Sequence, residues 1–224
     1  MSENKKQEKF FFNYSLLMLI IAIGGFGINA IVNNERMPPK SGILISHAIV
    51  MFLWYILLVF QSWSIKSNNF SLHKKLGKLS VILALSVVIT GALTVANAYP
   101  REPQGVALVT YNFLILSLFS IFYSIAVYKR KVPIVHKRLM LFTSLAVLHP
   151  ALFRVNRIFD LNFPLDLLLL LILILIIVVY DVRTIKKVHL STLLGAISII
   201  MVFVITITLM NSNRWNEIIK SLMG

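Results

Sequence analysis

The chain of 224 residues is 58% hydrophobic and only 13% charged, with a mean hydropathy of +0.85. A soluble domain of this size carries about a quarter charged residues, so a water-soluble globule is excluded and a bundle of membrane helices is expected. The absence of cysteine excludes disulfides, thiolate metal sites, haem attachment through Cys-x-x-Cys-His and thiol nucleophiles; the net charge of +14 lies in short clusters between apolar runs, a pattern that meets lipid headgroups rather than nucleic acid.

Apolar runs near or above the ~20 residues needed to cross a bilayer occupy 11–32, 42–64, 77–98, 105–128, 139–158, 163–181 and 190–210. They predict an all-α polytopic bundle of about seven transmembrane helices, with tails over 1–10 and 211–224. The first span carries Gly24, Gly25 and Gly27. It is longer than the ~7–15 residue apolar region of a signal peptide, and no small-residue cleavage site follows, so it is expected to be retained. In the second span His47, Trp54 and Gln61 recur every seven residues and share one face. The third carries Ser86, Thr90, Thr94 and Asn97, a stripe along one face. Thr110, Tyr111 and Asn112 lie in the fourth, and His149, Pro150, Arg154 and Arg157 in the outer part of the fifth. The sixth and seventh are nearly unbroken Leu, Ile and Val, apart from Asp166 near one end of the sixth. Polar side chains in spans turn toward partners or a cavity, while helices apolar all round face lipid. Spans two to five are therefore expected to form an inner four-helix bundle, with one, six and seven outside. For any one Ser or Thr, a hydrogen bond to its own helix backbone explains the residue equally well.

Orientation follows from the 22 Lys and Arg, because positive loops stay cytoplasmic. Fifteen lie on one side: near the N-terminus, around 66–78, around 129–138 and over 183–187. The remaining seven are Arg36, Lys40, Arg101, Arg154, Arg157, Arg214 and Lys220. This alternation predicts a cytoplasmic N-terminus, anionic headgroups bound on the cytoplasmic side, an extracytoplasmic C-terminal tail over 211–224, and residence in the cell membrane. All eight acids lie at or beyond the predicted span ends. A proton-coupled transporter commonly keeps a carboxylate near the midplane, so that class loses support.

The five histidines fall in two layers. His47 and His149 lie in the outer halves of spans two and five; His73, His136 and His189 lie at the cytoplasmic edge. A b-type haem takes two imidazoles from facing helices, so His47 with His149 is one candidate ligand pair and His73 with His136 a second. Arg154, Arg157, Asn97 and Asn112 are candidate supporting residues. Against this, the thirteen steps from His136 to His149 leave the two rings ~140° apart around a continuous helix, unless Pro150 bends it. His73 and His136 also stand in basic entry motifs, Leu72-His73-Lys74-Lys75-Leu76 and Val135-His136-Lys137-Arg138-Leu139. An interfacial anchor on lipid phosphate explains such a motif.

The run His73 to Lys78, the run His136 to Met140, and then Pro150 and Arg154, resemble uncharacterised bacterial multi-pass membrane proteins grouped as a domain of unknown function. The likeness covers roughly residues 42–158. More remotely, central helices with histidines in two layers look like the ascorbate-reducible transmembrane b-type cytochromes, which implies haem b and electron transfer to a membrane redox partner. The chain departs from them in having no histidine in span four and two in span five. Three readings stay open: a haem-binding electron-transfer protein; a non-catalytic assembly or accessory protein that docks a lipid, a quinone or a partner complex; and a small-solute transporter. No phosphate-binding glycine loop, Ser-His-Asp arrangement or His-Glu-x-x-His motif is present, so no catalytic residue is nominated and a soluble-type enzyme is not expected.

Overall fold

The computed structural model describes residues 3–36, 41–99, 105–159 and 164–223. Among them every regular element is helical: α1 (Glu3–Val32), a 3-10 turn (Asn34–Arg36), α2 (Gly42–Lys66), α3 (Phe70–Ala98), α4 (Gly105–Tyr128), α5 (Pro133–Ala146), α6 (His149–Phe159), α7 (Leu165–Ile185), α8 (Leu190–Met210) and α9 (Asn213–Met223). Six are long and apolar enough to cross a membrane: α1 from Gln7, α2, α3, α4, α7 and α8. A seventh span is reached when α5 and α6 count as one broken span. The chain is an all-α polytopic membrane helix bundle.

Local chemistry sets the helix ends. Ser41 caps α2, its Oγ accepting from the Leu44 N–H at 3.2 Å, which satisfies one of the orphan donors of a first turn. After α2 the chain turns through Asn68 at φ 58°, a left-handed conformation that Asn tolerates better than most residues. Asn69 then opens α3, its Oδ1 accepting from Leu72 N–H at 3.0 Å. The turn after α7 repeats this logic: Lys186 takes φ 60° and His189 caps α8 through Nδ1, which accepts from Ser191 N–H at 3.1 Å.

Two of these boundaries differ from the sequence expectation. α3 begins at Phe70 and α5 at Pro133, so the basic entry motifs are helical, because Lys and Arg are good helix formers and Pro133 suits a first turn. The fifth span is broken at Val147 and Leu148, and Pro150 falls in the first turn of α6. There its missing N–H would have had no helical partner anyway. The angular objection to His136 and His149 applied to a continuous helix, and the two belong to separate ones.

The helices divide into two compact units. One holds residues 1–87 and 148–176. Within it α1 packs along both α2 and α6, and a Cβ added at Gly25 would fall onto the Ala151 carbonyl. Tyr14 donates to the Leu173 carbonyl at 2.9 Å, and Ser15 Oγ meets Ser62 Oγ at 2.9 Å. Met18, Trp54, Leu152 and Leu170 fill its interior. The other unit holds 88–147 and 177–224. Within it α8 packs on α4 and α5, α4 packs on α5, and the Phe142 ring lies against Gly195. Packing is thus shared more widely than a core of spans two to five alone: α1 is central to the first unit and α8 to the second.

The α2 face carrying His47, Trp54 and Gln61 does turn inward, with Trp54 fully buried. The polar stripe of α3 behaves differently. Its buried positions in the first unit are Ser80, Ala84 and Val87, while Ser86 and Thr94 donate to carbonyls of their own helix, Ile82 at 3.0 Å and Thr90 at 2.8 Å. Small side chains occupy the packed face of α3, and these hydroxyls serve the helix backbone.

Candidate functional site

In the first unit the ionisable residues gather where α6 meets α1. His149 opens α6 and Asp166 lies in the first turn of α7; His149 Nε2 and Asp166 Oδ2 are 3.0 Å apart. A carboxylate accepts here, so in the neutral ring Nε2 carries the proton. The close crossing at Gly25 and Ala151 carries the neighbouring Phe26 under Arg154, whose guanidinium carbon lies 4.1 Å from the ring centroid. One Arg154 nitrogen, Nη1, donates to the Pro150 carbonyl at 2.8 Å. The charge of Arg157 acts on Arg154, and that of Arg154 on His47. Arg154 and Arg157 are expected beside Asp160 or Asp166; Asp160 lies outside the described residues, and Asp166 is bonded to His149. Within this unit, His47 on α2 and His149 on α6 belong to helices that each pack on α1.

The two edge histidines make the same local contact. His73 Nδ1 lies 3.4 Å from the Gln61 carbonyl of α2, and His136 Nδ1 lies 2.8 Å from the Ala126 carbonyl of α4. Each ties the first turn of its helix to the helix before it. A carbonyl can only accept, so Nδ1 carries the proton and Nε2 the lone pair. This is the tautomer that a metal-ligating histidine adopts when a backbone carbonyl orients it. Among the other supporting candidates, Asn112 donates to the Leu108 carbonyl of its own helix at 2.8 Å; Asn97 lies in the last turn of α3.

The second unit contains a buried polar cluster that was not anticipated. Arg138 on α5 and Asp181 on α7 are 2% and 0% exposed. Arg138 Nε donates to Asp181 Oδ1 at 2.9 Å and Nη2 donates to the same oxygen, while Nη1 donates to the Ile134 carbonyl at 2.9 Å. Asp181 Oδ2 accepts from the Thr192 hydroxyl at 2.6 Å and from the His189 backbone N–H at 3.0 Å. One carboxylate thereby joins α5, α7 and the start of α8. Burial and then the Arg138 charge hold the His189 imidazole below its ordinary pKa; Asp181 opposes them and Lys187 adds to them. The signal was present in the sequence. A carboxylate that closes an apolar run, as Asp181 closes 163–181, calls for a cation, and Lys137 and Arg138 point ~100° apart on a helix, so only one of them can serve the headgroups fully.

Chemically, the second-unit cluster is a satisfied ion pair, whereas Arg154 brings a fixed positive charge inside a span. Among the described residues no group of three or more His, Asp or Glu is placed to hold a metal ion. Comparison with family models, with curated proteins and with solved structures gives no match to this chain.

Proposed function

We propose that the protein is a non-catalytic membrane accessory protein that holds an anionic group, a phosphate or carboxylate, at Arg154. One observation carries this reading: the Arg154 guanidinium on α6 lies over the Phe26 ring, reinforced by the Arg157 charge, while Asp166 is bonded to His149. A cation at membrane depth needs a counter-charge or a route to headgroups, and a planar guanidinium matches a phosphate or carboxylate in two-point geometry. The fifteen-to-seven distribution of basic residues supports a cytoplasmic N-terminus in a cell membrane, with Arg154 in the outer half. Reporter fusions at residues 10, 70, 133 and 186 then read inside and those at 37, 102 and 160 outside; two contradictory fusions overturn this orientation.

The binding test compares thermal stability of the purified protein in phosphatidylcholine alone and with phosphatidylglycerol added. Stabilisation by the anionic lipid that is lost in Arg154→Gln and partly kept in Arg154→Lys supports the site. Equal stabilisation of parent and Arg154→Gln refutes it. Inorganic phosphate, added in phosphatidylcholine, separates a free anion from a lipid headgroup as the source.

The two histidines that the first unit carries on helices packed against α1, His47 on α2 and His149 on α6, favour a second reading, in which their rings hold haem b. Haem would supply one-electron transfer to a membrane redox partner. Asp166 accepts from the Nε2 of His149 at 3.0 Å, the kind of bond that orients a metal-ligating ring through its other nitrogen. A reducible Soret band in the purified protein, abolished by His47→Ala or His149→Ala, supports this reading. A featureless visible spectrum after expression with excess haem removes it.

A further inference from the structure

The tail predicted over 211–224 contains a helix, α9, whose composition divides cleanly around its axis. At ~100° per residue, Trp215, Ile218, Ile219, Leu222 and Met223 occupy an arc of ~140°. Asn213, Arg214, Asn216, Glu217, Lys220 and Ser221 take the rest. The second unit covers only one edge of the apolar arc. Ile219 is 4% exposed, and the Trp215 indole N–H donates to the Thr110 hydroxyl of α4 at 2.7 Å. Thr110 Oγ1 in turn donates to the Val106 carbonyl at 2.8 Å. The other edge is bare: Ile218 is 42% and Leu222 74% exposed.

We propose that α9 is an interfacial helix, lying against α4 with its remaining apolar edge in the lipid headgroup–acyl boundary. Three observations select lipid as the occupant. α9 follows the spanning helix α8 after only Asn211 and Ser212, so it begins at the depth where a span ends. The span that α9 follows also leaves apolar side chains uncovered, Val204 and Ile207 among them. Arg214 and Lys220 against Glu217 leave α9 net positive, as suits phosphate headgroups. A tryptophan with an apolar body and a bonded N–H is also a typical interfacial anchor. Through Trp215 and Thr110, α9 fastens the beginning of α4 to the membrane surface.

The lack of native cysteine permits a direct test in the full chain. Single nitroxide labels are placed by Ile218→Cys, Leu222→Cys, Glu217→Cys and Ser221→Cys, all at exposed positions. The proteins are reconstituted in vesicles of phosphatidylcholine with phosphatidylglycerol, and collision rates with oxygen and with a water-soluble nickel chelate are compared. At 218 and 222 oxygen should dominate, and at 217 and 221 the chelate, so that the ratio inverts around the helix. Chelate dominance at all four sites places α9 in water and overturns the proposal. Labels at 218 and 222 shielded from both reagents mean that protein, such as a second copy of the chain, covers the edge, which also overturns it. Trp215→Phe, which keeps an aromatic ring and removes the N–H, should broaden the inversion by loosening α9 from α4; an unchanged profile refutes the fastening role.

Discussion

Replacing Arg138 by Leu should destabilise the protein by about 3–5 kcal/mol, the range for a buried ion pair that loses one partner. The geometry explains why the upper half of that range is expected. Asp181 Oδ1 takes both of its donors from the one guanidinium, whereas Oδ2 keeps Thr192 and the His189 N–H. Removing Arg138 therefore strips one oxygen completely, at a site with no water access. The double variant Arg138→Leu with Asp181→Leu should recover most of the loss, because an apolar pair often replaces a buried ion pair without cost. Thr192 and the His189 N–H would then lack their acceptor, at about 1 kcal/mol each, so the double variant should fall within about 2 kcal/mol of the parent. Equilibrium unfolding in bicelles, run as a double-mutant cycle with Asp181→Leu, measures the coupling directly. If Arg138→Leu lies within about 1 kcal/mol of the parent, or if the two single effects simply add, the carboxylate does not depend on Arg138 and the cluster is not the joint described here.

Two further predictions concern packing and pH. Gly25→Ala drives a Cβ into the Ala151 backbone carbonyl, which cannot rotate away, and should cost about 1–3 kcal/mol as overpacking does. Gly24→Ala and Gly27→Ala meet nothing within 4 Å and should be neutral or stabilising by up to about 1 kcal/mol; thermal unfolding of the three variants separates the cases. His189 has a lowered pKa when folded, so its neutral form is the one that folding favours. The stability tied to it is complete above the unfolded value of about 6.5 and is lost as the pH falls through the lower folded value. Unfolding temperature against pH should therefore drop more steeply below that point in the parent than in His189→Asn, which retains an N-cap acceptor but does not titrate; parallel curves would show that the cap does not sense protons.

Fold class and the seven apolar runs were legible because span length and hydrophobicity are imposed by the bilayer, residue by residue. Which faces pack was legible only where a large side chain declared it, as Trp54 does on α2. On α3 the hydroxyl stripe does not by itself mark the packed face, since Ser and Thr can also bond their own helix, while the small residues that permit close packing carry no polarity signal. The break before Pro150 was read as a kink in one helix. Proline is as compatible with a first turn as with a bend, and only the tertiary setting chooses between them. The amphipathic division of α9 is present in 211–224, but a short segment beyond the last span carries too few apolar residues to announce itself by hydropathy.

The Arg138–Asp181 pair and Arg154 also show why polarity within spans is weak evidence of chemistry until its partners are known. Arg138 and Asp181 are among the deepest charges in the second unit, and every donor and acceptor described there is used in joining helices. Their burial favours architecture over turnover. Arg154 is the opposite case. It carries a positive charge, lies over an aromatic face, and is acted on by the charge of a second arginine, while Asp166 is bonded to His149. A residue of that kind acts on whatever anion the membrane or the solution brings to it, and that is the reason the functional proposal rests on Arg154 and not on the better-bonded pair.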